Sequence, residues 1–212
     1  MPNRRQFLGI MLMPALAMAR DDVVLKLPAP QMPRNALLVD ALQARKSSRE
    51  FAERPLPPQL LSNLLWAAFG INRPDVGKRT APSAHNWQEI DVYAALPEGM
   101  FRYDAVAHAL VQIVADDLRR LTGVQDFVGR APLNLVYVAD GARMTNASPE
   151  DQGFFLAADA GFIAQNVYLL CAAEGLATVV RGLLDRKALA AAMRLRPTQR
   201  IALAQSVGYP AA

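Results

Sequence analysis

The sequence predicts an α+β fold, a mixed central sheet flanked by helices. Segments with apolar residues at helical spacing interleave with short apolar runs that read as strands. No strand–helix unit repeats along the chain and no Gly-x-Gly-x-x-Gly turn is present, which excludes a doubly wound dinucleotide fold. With 52% apolar and 20% charged residues over 212, the composition suits one globular domain with a substantial core.

Residues 1–19 read as an export signal. Arg4-Arg5 is followed by Phe7-Leu8, an apolar run from Leu8 to Leu16 and the small-x-small triplet Ala17-Met18-Ala19, the order of a twin-arginine signal peptide and its cleavage site. The expected location is the periplasm. The run is short for a bilayer and contains Pro14, and no other stretch reaches about 18 continuous apolar residues, so no membrane span is expected after signal removal. Removal takes Arg4 and Arg5, so Lys and Arg fall from 23 to 21 against 19 Asp and Glu. A balance of +2 without a basic stripe argues against a nucleic-acid partner.

Residues 20–34 contain Pro28, Pro30 and Pro33 and read as an extended arm ahead of a domain at 35–212. A first helix is expected from Ala36 to Arg45, burying Leu37, Leu38, Val39 and Leu42. After Pro55, Pro57 and Pro58, a second helix carries Leu60, Leu61, Leu64, Leu65, Ala68 and Phe69 and ends at Gly70. Ile90 to Leu96 reads as a strand, Ala105 to Leu121 as an amphipathic helix ended by Gly123, and Leu133 to Val138 as a strand. Gly141 to Gly153 reads as the longest loop. Phe154 to Glu174 is apolar nearly all round, which predicts a helix buried on every side, with Ala157, Ala158, Ala160, Gly161 and Ala164 allowing close approach. A dimer interface would account for it. Ala177–Val180 and Ile201–Val207 read as strands flanking a helix from Lys187 to Arg194.

The side chains for hydrolysis or group transfer are missing as a set, with neither Gly-x-Ser-x-Gly nor a phosphate loop present. Cys171 is the single cysteine; in its apolar setting it reads as an inert thiol, and with His85 and His108 it makes no metal-ligand spacing. Asp116-Asp117, beside Arg119 and Arg120, reads as a solvated helix face. No catalytic side chain and no metal ligand is therefore expected. A chain of this kind suits a bound cofactor that carries the reaction.

Three segments are candidates to hold one. Arg45-Lys46-Ser47-Ser48-Arg49-Glu50-Phe51 places three cations and two hydroxyls together, and paired guanidinium bonds suit a phosphate or a flavin carbonyl edge. Arg79 to Gln88 is a proline-anchored polar loop. Val179-Val180-Arg181-Gly182 ends a strand on a glycine, where backbone amides can approach a ligand closely. Taken singly, the first reads rather as a solvated helix end with a serine cap and the second as an ordinary connection, while the third reads equally as a simple turn.

In this order the segments resemble the FMN-dependent nitroreductase family. Arg45, Ser47, Arg49 and Phe51 match its Arg-x-Ser-x-Arg/Lys-x-Phe, and Pro82, Ser83, Asn86 and Gln88 match its Pro-Ser-x-x-Asn-x-Gln loop. Ala160 to Leu169, Gly175-Leu176, Gly182 and Val207 to Pro210 follow in register, so the resemblance covers Ala36 to Pro210. Leu64 to Asn72, Arg79 to Ser83 and Phe101 to Asp104 look most like the thiazoline and oxazoline dehydrogenase (SagB-type) branch.

The resemblance implies a nitroreductase-like three-layer α/β sandwich and an intertwined homodimer with FMN at its interface. Arg45, Lys46 and Ser47 would hold the phosphate and Arg49 the pyrimidine edge. Pro82, Ser83 and Asn86 would reach the flavin from the partner subunit. Backbone amides of Arg181 and Gly182 would face N5 and O4, where the ring gains charge. It implies a flavoprotein oxidoreductase passing hydride by a ping-pong mechanism to or from a small electron-poor substrate. The electron donor would be NAD(P)H or a periplasmic donor. The alternative is a non-catalytic flavin-binding or partner-binding module of the same fold.

Two departures carry expectations. The chain runs two residues past Pro210, without the basic residues that complete the family's phosphate clamp, so the phosphate would rest on Arg45, Lys46 and Ser47. Arg181 stands where typical members have an acid, and a cation there would raise the flavin potential if it faced the ring. Substrate choice would lie with Thr122–Arg130 and Gly141–Gly153, where Phe127 or Phe154 would line the pocket.

Overall fold

The computed structural model describes residues 23–33 and 35–211, so the expected export signal lies outside the described residues. In chain order the elements are β1 (Val24–Lys26), α1 (Leu38–Ala44), α2 (Pro58–Phe69), β2 (Ile71–Arg73), β3 (Lys78–Arg79), β4 (Ile90–Leu96), β5 (Gly99–Asp104), β6 (Ala109–Val114), β7 (Leu133–Asp140), α3 (Pro149–Ala173), β8 (Ala177–Arg181), α4 (Arg186–Ala192) and β9 (Gln199–Gly208). Seven strands form one sheet in the order β1-β6-β5-β4-β7-β9-β8, and β2 and β3 form a separate hairpin. Each pairing in the large sheet is antiparallel.

Strand alternation builds three layers. Val92 and Ala94 of β4 and Leu133, Leu135, Tyr137 and Ala139 of β7 join the core shared with α2 and α3. Their neighbours Tyr93, Ala95, Val136 and Val138 point the other way, onto Leu189 of α4 and Met193, because successive strand side chains alternate faces. This is the expected helix-flanked α+β sandwich. Pro58 opens α2, where a missing amide costs nothing. Leu64 and Leu65 of that helix are fully buried, each stabilising the fold by about 1.5–3 kcal/mol. Gly70 ends α2 as expected, and a Cβ there would lie 2.5 Å from Trp66 Cδ1. Asn166 of α3 donates to the Ala67 carbonyl of α2.

Within residues 23–33, Val24–Lys26 form β1 at the sheet edge beside β6. Polar residues of α2 tie this segment down. Ser62 Oγ donates to the Pro28 carbonyl at 2.6 Å, and Asn63 exchanges hydrogen bonds with the Gln31 backbone.

Four expectations are corrected. Ala105 to Leu121 is not a helix. Asp104 Oδ1 accepts from the amides of Val106 and Ala107, and this turn, with His108 at φ 46°, returns the chain as β6. Val111, Ile113 and Val114 are β-branched and favour that outcome. The loop at Gly141–Gly153 is shorter than expected, because Ser148 Oγ caps the Asp151 amide and α3 starts at Pro149. Thirdly, Leu37, Leu38, Val39 and Leu42 are more than half exposed, and Ala41 alone of α1 is buried. Lastly, α3 is buried on one side only among the described residues: Ile163, Ala164 and Val167 are covered, whereas Phe154 is 67% and Phe162 48% exposed. By length and composition α3 is apolar enough to cross a membrane; in this fold it packs on α1, α2, β8 and β9.

Candidate cofactor site

The site is built on the open edge of the sheet. Among the described residues β8 pairs with β9 on one side only, so its other side presents backbone groups that need partners. The segment after α1 supplies them. The Ser48 amide donates to the Thr178 carbonyl at 2.9 Å. The Val180 amide donates to Tyr168 Oη at 2.9 Å, and Tyr168 Oη lies 2.8 Å from Ser47 Oγ. Tyr168 Oη accepts from the Val180 amide, and in its bond with Ser47 either hydroxyl can be the donor. One α3 side chain thus ties the basic cluster to β8.

Around this tie the expected residues take distinct places. Arg45 is half-buried, with its guanidinium 5.3 Å from the centre of the Tyr168 ring, within cation–π range. Lys46, Ser47 and Arg49 are exposed. Lys46 and Ser48 line a cavity of about 470 Å³ with Tyr168 and Thr178. Beyond the cluster, the Ala52 amide donates to the Tyr209 carbonyl and Phe51 bridges to Pro210, so the closing Tyr209-Pro210 packs beside it.

At the end of β8 the two expected amide donors differ. Arg181 pairs with Ala204 of β9. Since Thr178 and Val180 turn their backbone groups to the open edge, alternation turns those of Arg181 inward and makes Gly182 the next residue facing out. Gly182 is exposed, and a Cβ there would meet nothing closer than 3.9 Å. The Arg181 side chain is 5% exposed. It donates to the Thr122 carbonyl (2.6 Å), Asn134 Oδ1 (3.0 Å) and Ser206 Oγ (3.0 Å). Burial lowers its pKa to about 10, so it stays charged at neutral pH. That cation serves the core and holds the Thr122 segment against the sheet.

The Pro82–Gln88 loop docks elsewhere on α3. The Ala84 amide donates to Asp159 Oδ2 at 2.9 Å. Asp159 and Tyr168 are nine residues apart, about 13.5 Å along the helix, so one chain does not join the loop to the basic cluster. Ser83 Oγ donates to Glu89 Oε2 (3.1 Å) and accepts from the Gln88 amide (2.8 Å). Arg79 Nε donates to Gln88 Oε1 at 2.7 Å, and Gln88 Nε2 to Asn86 Oδ1 at 3.2 Å. Pro82 and Asn86 are exposed. Ser83 and Asn86 line a cavity of about 320 Å³ with Arg73, Lys78 and Arg79. His85, Asn86 and Gln88 all have positive φ, at 48°, 56° and 49°, which costs each non-glycine residue about 1 kcal/mol or more.

Sequence reasoning missed three residues that shape the site: Tyr168, Glu89 and Asp159. Glu89 is fully buried and Asp159 is 2% exposed. Burial first, and the Asp159 carboxyl beside it, push the Glu89 pKa up to about 7. A signal for Asp159 was present, as it is the only charged residue between Phe154 and Ala173. The expected pocket-lining phenylalanines divide. Phe127 is 8% exposed, its ring centre 5.8 Å from that of Phe51, and belongs to the core; Phe154 lies at the surface. Cys171 is fully buried, and burial pushes its thiol pKa up, as an inert thiol requires.

Comparison with known proteins gives a consistent result. The model of the nitroreductase family matches residues 42–209. A Methanocaldococcus jannaschii protein designated a nitroreductase is 32% identical over 156 residues, 68% of this chain and 78% of that protein. A Ralstonia eutropha JMP134 crystal structure, also designated a nitroreductase, is 49% identical with a TM-score of 0.85, covering 89% of this chain and 90% of the other. The Vibrio harveyi NADPH:FMN oxidoreductase, solved with NAD+, shares the fold at 19% identity and a TM-score of 0.60, covering 82% of this chain and 69% of its own.

Proposed function

This chain belongs to the nitroreductase family, and from that premise we propose that it is an FMN-dependent oxidoreductase working as a homodimer. The observation that carries the reading is the Tyr168 hydroxyl, which draws Ser47 and β8 together and so sets Arg45 and Arg49 on the edge that ends at Gly182. Exposed cations, a hydroxyl and a glycine with open space above it fit a flavin mononucleotide.

Arg45, Lys46 and Ser47 hold the phosphate, and Arg49 the pyrimidine edge. With FMN bound, the Gly182 amide would face the part of the ring that gains negative charge, and a fixed donor there would favour the reduced form. Arg181 acts through its place in the core and leaves the flavin potential alone. Pro82, Ser83 and Asn86 reach the site of the partner subunit, which accounts for their separation from Arg45 within one chain. The second copy covers the exposed Leu38, Leu42, Phe154 and Phe162, a surface of the kind that marks an interface.

The chemistry that FMN supplies when bound is hydride transfer through N5, in two separate half-reactions, to or from a small electron-poor organic molecule. The donor is NAD(P)H or, after export by the twin-arginine route, a periplasmic reductant. The segments Leu64–Asn72 and Phe101–Asp104 favour the thiazoline and oxazoline dehydrogenase branch. The test is the double charge reversal Arg45→Glu/Arg49→Glu, expected to abolish flavin loading in a protein that still folds. Normal loading would sink the site assignment. Bound flavin that is reduced anaerobically by NADH and reoxidised by an added acceptor establishes an enzyme; one that never cycles leaves only a binding module.

A further inference from the structure

The face of the sheet turned away from α3 carries a second cluster of cations, apart from the residues assigned to flavin. Arg102 of β5, Arg143 after β7, and Arg194 and Arg196 after α4 line one cavity of about 370 Å³. Strand pairing sets Arg102 opposite Tyr93 of β4, and directly opposed residues share a face. Tyr93 lines the cavity while only 4% exposed. Burial first, then the Asp91 carboxylate, push its pKa up, so its hydroxyl keeps a proton to donate.

Asp91 is the only acid among the residues that line the cavity. Arg143 takes it, with a second bond to the Gln88 carbonyl. Arg196 pairs with Asp140. Among the described residues Arg102 and Arg194 meet no acid within salt-bridge distance. Two paired and two unpaired guanidiniums thus border one small space, and such a gathering is unfavourable until an anion joins it.

Arg194 adds a cost of another kind. It follows α4 at φ 55°, its amide donating to the Ala191 carbonyl and the Leu195 amide to the Ala190 carbonyl. This is the left-handed close of a helix, a position that glycine ordinarily takes because it lacks a Cβ. An arginine there holds strain that glycine would relieve. The two backbone bonds need no side chain; what the arginine adds is a guanidinium at the cavity.

We propose that this cavity is an anion site, separate from the flavin, for a small ligand carrying at least two phosphate or carboxylate groups. Arg102 and Arg194 each give paired, charge-assisted hydrogen bonds to one anionic group, and Tyr93 supplies a neutral donor between strands and ligand. The site does not depend on the proposed function.

Isothermal titration calorimetry of the purified chain, with FMN added to saturation and at low ionic strength, tests it with inorganic phosphate, pyrophosphate and citrate. Pyrophosphate or citrate is expected to bind one site per chain, about tenfold or more tightly than inorganic phosphate. Whichever binds better tells a phosphorylated ligand from a polycarboxylate. Arg102→Gln and Arg194→Gly should each weaken that binding about tenfold, the loss of one charge-assisted contact. Arg194→Gly should also raise the urea midpoint, since the strain is gone, so its lost affinity is not damage to the fold. Arg45→Glu/Arg49→Glu, which removes cations beside β8, should leave the binding in place. The site is overturned by any of four results: no heat with either polyanion, inorganic phosphate binding as tightly, affinity unchanged in both Arg102→Gln and Arg194→Gly, or binding lost with the Arg45 and Arg49 substitutions. A chain that takes up no FMN overturns the proposed function instead, and the same titration still decides the anion site.

Discussion

Tyr168→Phe removes a single oxygen and tests how the site is assembled. The ring stays, so its contact with the Arg45 guanidinium, worth about 0.5–1 kcal/mol at such a site, survives. What is lost is the acceptor for the Val180 amide and the hydroxyl partner of Ser47. An orphaned buried donor costs about 1–3 kcal/mol. Val180 is half-buried and Ser47 is exposed, so water replaces part of the loss and the lower end applies, about 1 kcal/mol. Urea unfolding should show that drop with an unchanged slope, because the exposed surface is the same. Fluorescence titration should show FMN affinity falling about fivefold, the equivalent of about 1 kcal/mol, because Ser47 and the cluster lose their tie to β8. Wild-type affinity together with wild-type stability would refute the role given to this hydroxyl.

Other outcomes follow from the same contacts. Arg181→Lys cannot span Thr122, Asn134 and Ser206 with one ammonium, so urea unfolding should show a loss of about 2–4 kcal/mol. Redox titration should show the flavin potential unmoved; a large shift would place that cation at the ring after all. Gly70→Ala puts a methyl against Trp66 and should cost about 1–3 kcal/mol by thermal unfolding. The Glu89 pKa rises on folding from an ordinary 4.5 to about 7, so the folded state holds the proton more tightly than the unfolded chain. Its stabilising effect is complete below about pH 4.5 and is lost as pH climbs through about 7. The urea unfolding free energy of the flavin-free chain should fall across that window, by up to about 3 kcal/mol, and Glu89→Gln should flatten the fall.

The sheet was legible where alternation and composition agreed. Ile90–Leu96 is a strand with the bounds its apolar run suggested, and Leu133 to Val138 lies inside β7. Ala105 to Leu121 was misread because its apolar residues fit both periods. What decides it is the Asp104 turn and pairing with β5, contacts that spacing does not carry. The α1 leucines satisfied a helical period, yet a helix of two turns on α3 buries only Ala41. The candidate site was legible as motifs in order, since Arg45 to Arg49 and Pro82 to Gln88 are contiguous. Their supports were not. Tyr168, Glu89 and Asp159 act across 121, 6 and 75 positions of sequence, and only folding brings such partners together.

The central claim is that the edge of β8, with Arg45, Ser47 and Arg49 along it, is a flavin site. The absorbance spectrum of the purified protein tests it most directly. The account predicts the paired visible bands of an oxidised flavin, bleached by added reductant and released as FMN on denaturation. A colourless protein that stays colourless after incubation with FMN would contradict it.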